Sequence, residues 1–289
     1  LFPGARVSKH ALFPGARVSQ HALFLGARVS SRARHTVRFM QKPRSRWPTM
    51  ALLQSEGEGL PLFCVHANEA SHFIPRHLGP TRPFYALIHQ GQEGDEIHLR
   101  TVENIAAEYV RQLKEARPRG PYLLAGYSFG GIVAYEMAQQ LSAMGDTVPQ
   151  LVMLDTYAPG LYQEARKLDW RFYQPVLKPL KRFLTRWHLR RGRPVPLWLR
   201  SFYLIDIYDH AAMAYQPRPY DGRLTVFKAR EAWGPSDLGW QATCGRKVDM
   251  EVVPGDHYSM IQEPQVEQLS RKLDLALRAA DNVQYFDGA

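Results

Sequence analysis

A chain of 289 residues, 45% hydrophobic and 22% charged, is long enough for one large domain or two small ones, with the composition of a soluble globular protein. The net charge of +10 is not spread evenly: residues 1 to 50 hold ten of the 37 Lys and Arg and none of the 27 acids, so the rest is formally neutral. A neutral body has no basic stripe with which to release counterions from a nucleic acid, and no uncharged apolar stretch reaches the roughly 20 residues that span a bilayer. The expectation is therefore no nucleic-acid partner, no membrane partner and a cytoplasmic location. Cys64 and Cys244 are the only cysteines, with neither metal-type spacing nor a disulfide framework, which fits a reducing compartment. No metal site is expected.

The first thirty residues repeat at a period of 11, as "LFPGARVSKHA", "LFPGARVSQHA" and "LFLGARVSS". Pro3-Gly4 and Pro14-Gly15 break any helix that could carry this period, so residues 1–50 read as a disordered basic tail. Their Arg-rich, acid-free character also resembles an organellar transit peptide. Residues 51–289 read as the folded body. There "LPLFCVH" (60–66) predicts a buried strand, "TVENIAAEYVRQLKEA" (101–116) a helix, and "GPYLLAGY" (120–127) the next strand. A helix follows over Phe129 to Ala143, with Val133, Met137 and Leu141 one turn apart. "PQLVMLD" (149–155), "GRLTVFKA" (222–229) and "KVDMEVVPG" (247–255) predict further strands, and a final helix covers about Pro264 to Arg278. Apolar strands alternating with amphipathic helices specify a mostly parallel, doubly wound α/β sheet. Residues 159–216 exceed an ordinary connection and carry an aromatic array that includes Trp187, Phe202 and Tyr203. A long insertion of this kind reads as a helical lid.

Gly126-Tyr127-Ser128-Phe129-Gly130 matches G-x-S-x-G between a strand and a helix. A nucleophile on such a strained turn needs small residues two before and two after it, and Gly131 allows the helix to approach the sheet closely. A serine hydroxyl is a weak nucleophile at neutral pH, so it requires a base and the base requires an orienting carboxylate, in the chain order Ser, acid, His on this fold. Most of the body's histidines precede Ser128, and His188 and His210 lie in the lid. His257, in "VPGDHYSM" after the last strand, fits the base. Position alone leaves the acid open between Asp155, which ends "LVMLD", and the pair Glu231 and Asp237 after the following strand. Oxyanion donors are expected from the Phe129 amide, at a helix N-terminus, and from Ala67 or Asn68 after the first strand.

Together, "PLFCVHANEASHF", "GPYLLAGYSFGGIVAYEMAQQL", "LVMLDTYAPG", "YQPRPYDGRLTVFKA" and "VPGDHYSMIQEPQVEQL" resemble, in that order, the type I thioesterase domains that end polyketide, nonribosomal peptide and fatty acid synthases. The resemblance covers about residues 59 to 279. It implies the α/β-hydrolase fold and places the acid at Asp155. It also implies a lid that shapes a channel for an acyl chain, here through aromatics such as Trp187, Phe202 and Tyr203. The substrate would arrive on the phosphopantetheine arm of an acyl or peptidyl carrier protein, with no other cofactor. The first loop departs from the family, with Ala67-Asn68-Glu69-Ala70 where Pro or Gly is common. A carboxylesterase or lipase acting on oxygen esters, or a non-catalytic interaction module, are the competing readings. A free-standing enzyme and a terminal domain of a synthase both remain open.

Overall fold

The computed structural model describes residues 49–66, 70–170 and 177–283; the repeats of the basic tail lie outside them. Among the described residues seven strands form one sheet: β1 (Met50–Gln54), β2 (Leu62–Val65), β3 (Phe84–Leu87), β4 (Leu123–Tyr127), β5 (Gln150–Leu154), β6 (Leu224–Ala229) and β7 (Asp249–Val253). Their spatial order is β1-β3-β2-β4-β5-β6-β7, with β1 antiparallel to β3 and every other pairing parallel. The first strand thus begins at Met50, inside the stretch that the charge pattern assigns to the tail. Strands β1 and β3 have no counterpart in the sequence reading, which places no element between residues 66 and 101.

Strands β2, β4 and β5 are buried at every position, as their unbroken apolar runs require for a sheet covered on both faces. The two edge strands, β1 and β7, carry the exposed positions. Side chains alternate between two cores. Leu124 joins a cluster with α2 (Val102–Ala116) and α3 (Phe129–Ala143), whereas Leu123, Ala125 and Tyr127 join one with α1 (Ala70–Leu78) and α7 (Gln265–Val283). Helix α7 offers Leu269, Leu273, Leu277 and Ala280 to that face, a stripe at helical spacing. Thr101 caps α2 by accepting from the Asn104 amide at 3.2 Å, a bond worth about 1 kcal/mol.

The insertion between β5 and β6 is helical, as expected: α4 (Pro159–Trp170), α5 (Leu177–Arg190) and α6 (Leu197–Ala214). Asp206 of α6 holds α5 through a two-pronged contact with Arg182, both bonds 2.8 Å. The first half of α6 builds a small core of its own with Ile97, Val195, Leu199 and Tyr203. Its second half enters the main core, where Tyr208 stacks on Phe129 (centroids 4.5 Å apart, planes at 11°) and on His66 (5.4 Å, 20°). Among the described residues no helix is long and apolar enough to cross a membrane.

His66 follows β2 and is 2% exposed. Its Nε2 lies 2.6 Å from the Tyr109 hydroxyl, which donates its own proton to the Ile88 carbonyl at 2.9 Å, so Nε2 is the protonated nitrogen. Its Nδ1 is buried without a partner among the described residues. Burial, reinforced by neighbouring His89, holds His66 well below the ordinary value of 6.5. The folded form therefore binds fewer protons than the unfolded chain. The resulting stability is fully present above pH 6.5 and is lost as pH falls below it, by up to about 1.4 kcal/mol per pH unit. Melting temperatures measured from pH 7.5 down to 5 should fall less steeply for His66→Leu than for the parent; equal slopes would mean that His66 is protonated in the fold.

Candidate active site

Ser128 lies between the end of β4 and the start of α3 with φ 54° and ψ −126°, outside the regions a non-glycine residue ordinarily occupies. Its side chain makes no capping bond to the helix it precedes, so the hydroxyl is not committed to holding α3. The glycines have distinct neighbours. A Cβ on Gly126 would sit 2.3 Å from the Gly130 carbonyl oxygen, one on Gly130 2.3 Å from that of Val65, and one on Gly131 2.1 Å from Thr156 Oγ1. The Thr156 hydroxyl donates to the Ser128 carbonyl at 2.9 Å, and the Ser128 amide donates to Leu154 at 3.0 Å. The segment just past β5 thus grips the turn on both sides.

The same segment carries Asp155, also at positive φ (46°) and 1% exposed. One carboxylate oxygen accepts from the Ala229 amide at the end of β6 (2.9 Å), and the other lies 2.7 Å from His257 Nδ1. His257 Nε2 is 3.1 Å from Ser128 Oγ. Three residues from three strand ends, spread over 130 positions of chain, therefore form one hydrogen-bonded line. With Nδ1 donating to the carboxylate, Nε2 is left as an acceptor facing the serine hydroxyl.

Among the described residues, the other acids near these strand ends make no hydrogen bond with the His257 ring. Asp237 accepts from the Gly239 and Gln241 amides, and Glu231 is exposed. Asp256, beside His257, accepts from the amides of Tyr258 and Ser259 and from the Ser259 hydroxyl. The Ser259 backbone bond, foremost among these, holds its carboxyl below the usual range. Its role is to fold the turn that carries His257.

Phe129 supplies the first amide of α3, where N–H groups have no acceptor within the helix and the dipole favours negative charge. Asn68 and Ala67 lie outside the described residues. Tyr203 is buried in the small lid core, where its hydroxyl accepts from the Ile97 amide at 2.9 Å. Phe202 packs beside that core under Lys181, and Trp187 stacks with Arg191. Among the described residues of the insertion, Tyr208 is an aromatic brought against the serine turn, and sequence reasoning did not single it out. His66 was set aside for preceding Ser128, yet it packs against Phe129. No cluster of three or more metal-ligating side chains occurs among the described residues.

Comparison with known proteins identifies the family and the fold. Residues 60–276 match the family model described as a thioesterase domain. Microperfuranone synthase of Emericella nidulans is 28% identical over 269 residues, covering 78% of this chain and 29% of that protein. An atromentin synthetase of Paxillus involutus is 36% identical over 122 residues, 41% of this chain and 13% of that protein. The chain thus spans under a third of these relatives' length. Among solved structures, the NocB thioesterase domain of the nocardicin cluster aligns with a TM-score of 0.60 at 25% identity, covering 80% of this chain and 99% of that domain. A four-domain nonribosomal peptide synthetase shares the fold, with a TM-score of 0.62 at 24% identity over 84% of this chain and 21% of that one. With the α/β-hydrolase sheet, the serine turn and a family match across most of its length, the chain belongs to the thioesterase domain family.

Proposed function

We propose that the chain is a serine thioesterase that releases an acyl group from the phosphopantetheine arm of a carrier protein. The observation that carries this reading is the continuous hydrogen-bonded line from Asp155 through His257 to Ser128. His257 Nε2 takes the proton of Ser128 as Oγ attacks the thioester carbonyl, while Asp155 fixes the tautomer and stabilises the imidazolium. The negative charge on the former carbonyl oxygen is met by the Phe129 amide, with a second donor from Asn68 or Ala67. The C–S bond then breaks, the departing thiolate takes the proton from His257, and an acyl-Ser128 ester remains. Water deprotonated by His257 hydrolyses that ester to a free acid. An internal hydroxyl or amine of the acyl chain would instead close a ring.

A carrier-borne substrate is supported by the small share that this chain covers of the synthases it matches, one of them a four-domain nonribosomal peptide synthetase. Residues 178–200 hold Lys and Arg but no Asp or Glu, and Arg190 and Arg191 are exposed. This basic lid surface complements an acidic carrier.

Ser128→Ala should abolish turnover of an acyl thioester, and a fluorophosphonate should label the parent at Ser128. Labelling elsewhere, or parental turnover by the variant, would sink the scheme. Asp155→Asn should lower kcat about 10⁴-fold, the cost of presenting the wrong imidazole tautomer. Matched thioester and oxygen-ester substrates, compared by kcat/KM, separate this activity from that of a carboxylesterase. Reversing Arg190 and Arg191 to Glu should raise KM for carrier-bound substrate about tenfold or more, leaving a small soluble thioester unaffected; equal KM values for both substrates would refute carrier docking at this surface.

A further inference from the structure

The pattern G-x-S-x-G leaves open the residue before the nucleophile, and here it is Tyr127. Strand alternation turns its side chain away from α3 and toward the opposite face of the sheet, among Leu154, Val253, Met260 and Ile261. That is the side from which the loop after β7 brings in His257. Two contacts result. The Tyr127 hydroxyl donates to the His257 carbonyl oxygen at 2.6 Å, and the two rings stack with centroids 4.9 Å apart and planes at 21°.

We propose that Tyr127 is a positioning residue for His257, so that the end of one strand places both the nucleophile and its base. The inference rests on the reading of His257 as the base. The need for such a hold follows from where His257 sits. Its loop continues from β7, an edge strand in which Met250 and Val252 are each 46% exposed. The turn made by Asp256 and Ser259 fixes the loop's internal shape but not its distance from β4. The bonds to Asp155 and Ser128 both lie at the edge of the imidazole ring, so they leave the ring free to tip about the line joining them. A stacked face opposes that tipping, and the carbonyl bond ties the loop backbone to the strand that ends at Ser128. Displacement of a reacting group by an ångström is enough to cost large factors in rate.

The test is a double-mutant cycle on a small acyl thioester, using the parent, Tyr127→Phe, His257→Ala and the double variant. Tyr127→Phe keeps the ring and removes the hydroxyl. It should lower kcat about tenfold with KM and melting temperature unchanged, and Tyr127→Leu, which also removes the stack, should lower kcat further. In the His257→Ala background Tyr127→Phe should cost nothing more, because a residue that acts through the imidazole has nothing left to position. Parental kcat in Tyr127→Phe, or the same loss in both backgrounds, would overturn the proposal. Should Tyr127→Leu fail to fold, the cycle with Tyr127→Phe still decides. Failure of the serine scheme itself is read separately, from Ser128→Ala.

Discussion

The site depends on one backbone constraint, the turn that holds Ser128 at φ 54°. A non-glycine residue in such a conformation costs on the order of 1 to 3 kcal/mol and persists only where its surroundings leave no alternative. Those surroundings are the ends of β2 and β5. The Val65 carbonyl leaves room for nothing larger than glycine at position 130, and Thr156 does the same at position 131. Leu154 and Thr156 bond the Ser128 amide and carbonyl. Asp155 stands between those two residues, so the segment that strains the turn also presents the carboxylate to His257. Ser128 and Asp155 are placed together because neighbouring parallel strands end together.

Much of this was legible in the sequence. The serine turn follows from glycines at fixed spacing between a strand and a helix, and His257 from its place after the last strand. Which carboxylate meets His257 was not legible from position. Asp155, Glu231 and Asp237 all follow strands, and a linear sequence carries no distances between strand ends; the family resemblance favoured Asp155, and the contact with His257 falls there. The signal was absent altogether for β1 and β3. "MALLQ" and "FYAL" are short, the second follows a proline, and their burial comes from pairing with each other and with β2 rather than from any pattern of their own.

An insertion could be read because the distance between the strands on either side of it exceeds any ordinary connection. Its interior could not. Tyr203 and Tyr208 sit five residues apart on the same helix, yet one belongs to the small lid core and the other to the stack against Phe129 and His66. Hydrophobic period alone says that both face inward and not what they face.

That split along α6 gives the lid two chemically different ends. Where α6 enters the main core it is aromatic and closely packed, and Tyr208 lies against the residue whose amide begins α3. Where α5 and the start of α6 meet solvent, Leu180, Phe183, Leu197 and Trp198 are exposed in a stretch whose charges are all positive. Asp206 is the hinge between these chemistries: its carboxylate neutralises Arg182 and also contacts Lys178 at 3.4 Å, drawing two of the lid's cations onto the helix that leads inward. The cations beyond its reach, Arg186, Arg190, Arg191 and Arg193, stay on the exposed surface. The lid's outer charge is therefore set by how few acids α6 supplies, and its inner contact with the serine turn by an aromatic ring that carries no charge.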